Sequence, residues 1–142
     1  MLGMPQLREH FESTVGSIRE ARRRVAEFAA RCGMTPEDVF DVALAVGEAC
    51  ANAVEHGHSE NGTFTVHCEY RAGAMNVEIR DYYTGEPWSS EAKTQRMGVP
   101  KNAGGLGLIL MDYLMDSCEL LKAQNGGTCV RLRKLSDRSA RG

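Results

Sequence analysis

The fold is decided by the stretch Val46-Gly-Glu-Ala-Cys-Ala-Asn-Ala-Val-Glu-His-Gly57, in which small apolar residues recur at helical spacing. These residues fall on one side of a helix, and that side is expected to face a core. Upstream, Thr35 is a favourable N-cap, Pro36 stands at the first helical position, and Asp38 occupies the capping-box position. The sequence therefore predicts one long core helix from Thr35 to about the end of the quoted stretch.

Helical and strand patterns flank this helix on both sides. Ser17 to Arg31 has apolar residues at helical spacing, and Gln6–Thr14 is expected to add a strand before it. Downstream, the pattern predicts two strands, a helix and two further strands, in the order Phe64–Tyr70, Met75–Ile79, Leu106–Met115, Cys118–Ala123 and Thr128–Leu135. Helices thus alternate with hairpins and not with single strands. The predicted fold class is α+β, a two-layer α/β sandwich whose mostly antiparallel sheet is covered on one face by about three helices.

Length and charge limit the classes of protein to which this chain can belong. Its 142 residues suit a single domain, which we expect to span residues 1–142 with a frayed polar tail over residues 136–142. Lysine and arginine number 17 and aspartate and glutamate 19, so the formal net charge is −2. A nucleic-acid-binding domain normally shows a basic excess, so we expect no direct contact with nucleic acid.

Hydropathy and cysteine spacing indicate the compartment. No stretch approaches the roughly 18 apolar residues of a membrane span, and residues 1–12 contain no apolar signal region. The five cysteines are scattered and form no C-x-x-C pair, so neither a disulfide framework nor a zinc site is expected. These features predict a cytoplasmic protein with no membrane contact and with free, buried thiols.

Glu48 and Asn52 form the first candidate site, because residues four apart share one face of a helix. A carboxylate can orient an attacking hydroxyl or accept its proton, and an amide oxygen can ligate Mg2+. Both residues lie, with Asp41, on the side of the helix away from Val42 and Val46. An ordinary solvated helix face is therefore the alternative interpretation.

Asp81 and Thr128 form a second candidate site at the ends of two predicted strands. Asp81 shares the parity of Met75, Val77 and Ile79, so its carboxylate is expected on the helix-covered face, where a buried charge needs partners. It either caps a loop amide or accepts a hydrogen bond from a ligand such as an exocyclic amine. Thr128 is expected on the same face, where it either contacts a ligand or bonds only to backbone.

A glycine-rich segment, Gly104-Gly105-Leu106-Gly107-Leu108, directly precedes the third helix. Glycines let a backbone approach a ligand closely, and a helix N-terminus presents free N–H groups to anions. The alternative is a simple tight turn. The pattern G-x-x-x-x-G-K-[ST] is absent, so a P-loop is excluded. The segment from Tyr82 to Gly105 has no sustained period, and a loop of this length is usually functional or mobile.

In chain order, these segments resemble the GHKL ATPases. The quoted helix resembles their N-box, Ile79-Arg-Asp81 resembles the start of their first glycine box, and the run from Gly104 to Asp116 is similar to their second glycine box and its helix. The segment Gly126-Gly-Thr-Cys-Val-Arg-Leu-Arg133 is similar to their closing strands. The resemblance spans nearly the whole chain and is greatest to the small anti-sigma factors that are also serine/threonine-protein kinases.

The resemblance implies a Bergerat fold that binds ATP and Mg2+, with a role for each candidate residue. Asn52 would coordinate Mg2+, and Glu48 would be the catalytic base or orienting carboxylate. Asp81 would hold the adenine amino group, assisted by Thr128 or by a nearby water. The Tyr82–Gly104 segment would be the ATP lid. Nucleotide-binding backbone would come from the two glycine boxes, at Gly85, Gly104, Gly105, Leu106 and Gly107.

The resemblance also implies protein partners. These are a sigma factor and an anti-sigma-factor antagonist protein whose serine is phosphorylated, with the kinase as a homodimer. The basic cluster Arg22–Arg24 would then meet an acidic partner. The first glycine box departs from D-x-G-x-G, because Tyr83 replaces its first glycine, and this favours an alternative: a non-catalytic anti-sigma or adaptor binding module. A third hypothesis, the ATP-binding domain of a sensor histidine kinase, requires a phosphoacceptor helix pair for which 142 residues leave no room.

Overall fold

The computed structural model describes residues 4–56, 62–81, 94–96, 106–123 and 127–136. Within these ranges the chain forms one sheet and a layer of helices that covers it. In chain order they are β1 (Gln6–Glu12), α1 (Val15–Arg31), α2 (Pro36–His56), β2 (Thr63–Arg71), β3 (Ala74–Asp81), β4 (Thr94–Arg96), α3 (Leu106–Leu114), β5 (Ser117–Ala123) and β6 (Thr128–Leu135).

The strands form one sheet in the order β1-β2-β3-β6-β5-β4, and each described pairing is antiparallel. The register places Val66, Ile79 and Val130 side by side across the three central strands. All three are buried in one core with residues of the helices. The prediction of an α+β two-layer sandwich is therefore confirmed.

The core lies between this sheet face and the helical layer. The sheet supplies its larger side chains, among them Phe64, Met75 and Ile79. Full burial of an aliphatic or aromatic side chain stabilises the fold by about 1.5–3 kcal/mol, so α2 is held firmly against the sheet. The side chains that α2 buries in this core recur at spacings of three and four residues and are at most 5% exposed: Val42, Ala45, Val46, Ala49, Cys50 and Ala53.

Capping residues set the ends of the first two helices. Thr14 Oγ1 accepts a hydrogen bond from Ser17 N, so α1 begins at Val15, two residues before the predicted start. Thr35 Oγ1 accepts the backbone N–H three residues later at 3.2 Å, as its predicted N-cap role requires. After α1, Gly33 has a φ of 91°, the left-handed conformation that favours glycine beyond a helix end.

The β2–β3 hairpin turns through Ala72 and Gly73, whose φ angles are 52° and 76°. This is the turn that the sequence predicted. Gly73 O also accepts a hydrogen bond from Ser136 N at 2.8 Å, which ties the residue after β6 to the turn. Ser136, which the sequence analysis assigned to a frayed tail, is therefore buried and bonded. Residues 137–142 lie outside the described ranges.

Strand β4 differs from the sequence prediction, which placed Thr94–Arg96 inside one irregular loop. Its three residues pair with Leu121–Ala123 of β5. Alternating polarity becomes visible only over a longer segment, so the sequence carried no usable signal for this strand. The rest of the predicted loop is not among the described residues.

All five cysteines are free, as predicted. Cys50, Cys68 and Cys129 are buried, whereas Cys32 and Cys118 are only partly so, and the prediction of burial holds for three of them. Burial raises the pKa of the Cys50 thiol to about 12 and that of the Cys129 thiol to about 11. Over the part of the chain that the structure describes, no helix is long and apolar enough to cross a membrane.

Candidate functional site

Glu48 and Asn52 lie one turn apart on α2, and both side chains are half-buried. At Glu48 the helix face is not simply solvated, because the first turn of α3 packs against this residue. The periodicity of one helix shows which residues face its own core but not which other helix lies beside the remaining faces. The Glu48 side chain thus lies beside a helix–helix contact, and both polar side chains remain partly accessible.

Gly107, in the first turn of α3, is the residue that approaches Glu48. A Cβ atom added to Gly107 would lie 3.0 Å from Glu48 Oε2, closer than nine in ten real Cβ contacts. The absence of a side chain therefore leaves the room that the carboxylate occupies. The N-terminal end of a helix also carries a partial positive charge, which favours an anion beside it. Two predicted site residues from separate motifs are brought together here.

Asp81 and Thr128 form the second contact. Thr128 donates from its backbone nitrogen to Asp81 Oδ1 at 2.7 Å and from its hydroxyl to Asp81 Oδ2 at 2.6 Å. The shared parity predicted from the sequence is confirmed, because the two residues end neighbouring strands on the helix-covered face. Asp81 therefore caps a backbone amide, which was one of its two expected roles, and both residues remain half-buried.

Four of the predicted site residues have no side-chain description. Gly85, Gly104 and Gly105 lie outside the described residues, as does Tyr83. Leu106 is described only as the first residue of α3. Their roles therefore stay predictions.

The donor set of the site fits Mg2+ better than a metal held wholly by protein. Among the described residues, no group of three or more His, Cys, Asp or Glu side chains is arranged to hold a metal ion. Asn52 and Glu48 offer two oxygen-bearing side chains on one helix face. Mg2+ usually keeps several waters and binds through one or two protein oxygens together with substrate phosphates.

Two of the three arginines in the basic cluster of α1 are neutralised within the molecule. Arg23 bonds to Glu20 and Glu27, and Arg24 bonds to Glu20 at 2.9 Å and to Glu9 on β1 at 2.6 Å. The hydrogen bonds from both arginines lower the pKa of Glu20 to about 2. Arg23 and Arg24 therefore form ion pairs within the protein.

Arg22 differs from its two neighbours. Within the described part of the chain it has no hydrogen bond or ion pair, and its side chain is exposed. Its stem lies across α2 at Gly47, where an added Cβ would be 2.6 Å from Arg22 Cδ. Sequence reasoning did not single out Gly47; the available signal was a glycine inside a helix, which costs about 1 kcal/mol relative to alanine.

These contacts and the sandwich that carries them define a class of protein. The sequence matches the histidine kinase-like ATPase domain over residues 11–134, and the chain belongs to that family. Within it, relatives at 30% identity over most of the chain show that it belongs with the anti-sigma-factor serine kinases.

Three such relatives illustrate the similarity. The chain is 30% identical over 142 residues to the serine-protein kinase RsbW of Halalkalibacterium halodurans, covering 92% of this chain and 85% of that one. It is 31% identical over 121 residues to RsbW of Bacillus subtilis, with coverage of 80% and 74%. It is 30% identical over 132 residues to the anti-sigma F factor of Geobacillus stearothermophilus, with coverage of 88% and 90%.

A solved structure shares the fold. It contains the RsbU and RsbW domains of Rv1364c from Mycobacterium tuberculosis, and it superimposes with a TM-score of 0.70 at 22% sequence identity. The match covers 93% of this chain and 32% of the longer mycobacterial chain.

Proposed function

We propose that this protein is an ATP-dependent serine/threonine-protein kinase that also binds a sigma factor, and that its substrate is the antagonist of that binding. The observation that carries the proposal is the Glu48–Gly107 contact, which holds a half-buried carboxylate against the N-terminal turn of α3. In phosphoryl transfer to a hydroxyl, a carboxylate near the phosphate site can orient the attacking hydroxyl and accept its proton. Relatives named as a serine-protein kinase and as an anti-sigma F factor support both halves of the proposal.

Glu48 is proposed as the residue that orients the attacking hydroxyl of the antagonist protein. The hydroxyl oxygen forms a bond to the γ-phosphorus of ATP while the bond from that phosphorus to the β–γ bridging oxygen breaks, and ADP leaves. The hydroxyl proton passes to the Glu48 carboxylate. The backbone N–H groups of the first turn of α3, in which Gly107 lies, are proposed to stabilise the phosphate charge.

Asn52 is proposed as the protein ligand to Mg2+ through its side-chain oxygen. When bound, Mg2+ neutralises the charge of the phosphates and orients them. Asn52 lies one turn after Glu48, so the ion would be held next to the residue that orients the hydroxyl.

Asp81 is proposed to accept a hydrogen bond from the adenine amino group. Thr128 fixes the carboxylate at both oxygens, and each carboxylate oxygen can accept a further bond. The backbone at the glycine boxes is proposed to complete the nucleotide site, at Gly85, Gly104, Gly105 and Leu106.

Arg22 is proposed as the cation of the α1 cluster that meets an acidic partner. Arg23 and Arg24 are already paired with glutamates, whereas the guanidinium of Arg22 is exposed at the turn of α2 that precedes Glu48. An acidic partner surface bound there would lie close to the proposed catalytic carboxylate. The proposal extends to a cytoplasmic homodimer, as expected for the anti-sigma kinases that the sequence resembles.

Two measurements test the proposed function. Thermal unfolding with and without millimolar Mg–ATP tests binding, because a ligand that binds only the folded state raises its stability by mass action. Capture of partners from the source cell, followed by incubation with labelled ATP, tests phosphoryl transfer and identifies the substrate. A higher melting temperature together with a labelled partner supports the kinase. Partner capture without a shift and without label supports the non-catalytic binding module instead.

A further inference from the structure

The C-terminal end of α3 is held by a lysine that reaches it from the sheet. Lys134 Nζ donates to Leu114 O at 2.8 Å and to Asp41 Oδ2 on α2 at 3.2 Å. The Lys134 side chain is only 16% exposed, so solvent screens these contacts less than it screens a surface ion pair. A cation also interacts favourably with the last carbonyls of a helix. One ammonium group therefore joins α2, α3 and β6.

Asp116 provides a second anchor just beyond α3. Its backbone nitrogen donates to Arg133 O at 2.8 Å, and its Oδ2 accepts a hydrogen bond from Leu135 N at 2.6 Å. Met111 and Met115 are buried in the same part of the chain. This end of α3 therefore cannot slide along β6 without losing several hydrogen bonds at once.

The two contact points between α2 and α3 are equally spaced in both helices. Asp41 and Glu48 are seven residues apart on α2, and Gly107 and Leu114 are seven residues apart on α3. At about 1.5 Å per residue, each interval is about 10 Å along the helix axis. Because Leu114 lies near Asp41 and Gly107 lies near Glu48, the helices are antiparallel and the two contacts belong to one register.

We propose that Lys134 and Asp41 are positioning residues for the nucleotide site. By fixing the C-terminal end of α3 against α2, they set the position at which Gly107 meets Glu48 at the other end. A shift of one residue along the axis is about 1.5 Å, and misplacing catalytic groups by about 1 Å can cost about a hundredfold in rate. The inference rests on the proposed function, since it assigns these residues to the same site.

The test compares Lys134→Met with the control variant Arg24→Met. Methionine keeps much of the lysine stem but removes the charge and the donors. Arg24 also links two elements through an ion pair, with Glu9 at 2.6 Å, but that pair joins α1 to β1 and its arginine is more exposed than Lys134. Both variants are made in the full chain. The measured quantities are the melting temperature, the Kd of a fluorescent ATP analogue, and kcat and KM for phosphoryl transfer to the captured partner.

We expect Lys134→Met to weaken binding of the analogue or to lower kcat by about tenfold. Arg24→Met should lower the melting temperature by no more than Lys134→Met does, and should leave the Kd of the analogue and kcat unchanged. Lys134→Arg, which keeps a cation and hydrogen-bond donors, should recover most of the loss. Asp41→Ala keeps the bond from Lys134 to Leu114, so it should change the Kd of the analogue or kcat in the same direction but by less. If Lys134→Met does not fold, Asp41→Ala takes its place in the test.

Unchanged nucleotide parameters in Lys134→Met and Asp41→Ala, with only a loss of stability like that of the control, would overturn the inference. That result leaves the proposed function intact, because the wild type still binds and transfers. A wild type that binds no ATP analogue gives a different pattern and overturns the proposed function together with the inference.

Discussion

Thr128 holds the carboxylate of Asp81 with two hydrogen bonds, one from its backbone nitrogen at 2.7 Å and one from its hydroxyl at 2.6 Å. The two bonds fix the plane of the carboxylate at the point where β3 ends and β6 begins. A group that hydrogen-bonds to Asp81 therefore meets an acceptor whose orientation is already set. Such preorganisation lowers the entropy that binding must otherwise lose.

Removal of the Thr128 hydroxyl should loosen this acceptor. Thr128→Val keeps the shape of the side chain and the backbone bond but removes the 2.6 Å bond, at a cost of about 1–2 kcal/mol in the free energy of unfolding. We expect the affinity for Mg–ATP to fall about tenfold, measured by titration calorimetry. Thr63→Val, on the opposite face at the start of β2, is the matched control, and an equal effect in both variants would contradict the assigned role.

Glu48→Gln should separate binding from chemistry. Glutamine keeps the size of the side chain but cannot accept the hydroxyl proton, so kcat for transfer should fall by about two to four orders of magnitude. The Kd for Mg–ATP should change little. Glu55→Gln, an exposed position on the same helix, provides the control. Equal transfer rates for the wild type and Glu48→Gln would exclude Glu48 as the base.

Gly107→Ala should displace the Glu48 carboxylate. The new Cβ would lie 3.0 Å from Glu48 Oε2, and we expect phosphoryl transfer to fall about tenfold or more while the melting temperature changes little. Gly16→Ala is the control, since its Cβ would lie 4.0 Å from Thr14 Oγ1, an ordinary contact. If Gly107→Ala retained full activity, the close approach would have no catalytic consequence.

Arg22→Ala should weaken capture of the partner protein without changing nucleotide affinity. The expected loss is about tenfold, and it should shrink as salt is raised, because the interaction is between charges. Arg23→Ala should have little effect, since that arginine is paired with Glu20. Gly47→Ala should also weaken capture, because its Cβ would displace the Arg22 stem. Surface plasmon resonance at two salt concentrations measures all three, and equal losses for Arg22→Ala and Arg23→Ala would contradict the assignment.

Alkaline pH should destabilise the fold through its buried thiols. Burial raises the pKa of Cys50 from its ordinary value of 9.0 to about 12, so the unfolded chain releases this proton first. Stability is therefore complete below about pH 9 and falls as the pH rises towards 12. Cys50→Ala should show a shallower fall in chemical denaturation from about pH 8 to about pH 11. Parallel pH curves for the two proteins would contradict this origin.

The pattern of apolar and polar residues was sufficient to predict the helices and strands that pack against the core along their whole length. The apolar stripe of α2 and the alternation of β2, β3 and β6 followed from the side chains themselves, and with them the parity that brings Asp81 to Thr128. The resemblance to the GHKL ATPases added the roles that spacing alone left open. The match over residues 11–134 confirms that family.

The remaining features depend on contacts between distant segments. The hydropathy pattern of a segment does not show which distant segment packs against it. It therefore could not predict that α3 lies beside Glu48, or that Lys134 bonds to Asp41 and Leu114. Gly47 likewise depends on another element, because the stem of Arg22 on α1 occupies the space where a side chain at position 47 would lie. These features could not be predicted from the pattern of either partner taken alone.

The hydrogen bond between Ser136 and the β2–β3 turn has a practical consequence for measurements of nucleotide and partner binding. Thr128 is the first residue of β6 and Ser136 follows its last, and eight residues of strand span about 26 Å. Ser136, at which the described part of the chain ends, therefore lies at the rim of the sheet away from the Asp81–Thr128 contact. We expect a fluorophore or an affinity handle placed at this rim to leave the proposed nucleotide site accessible.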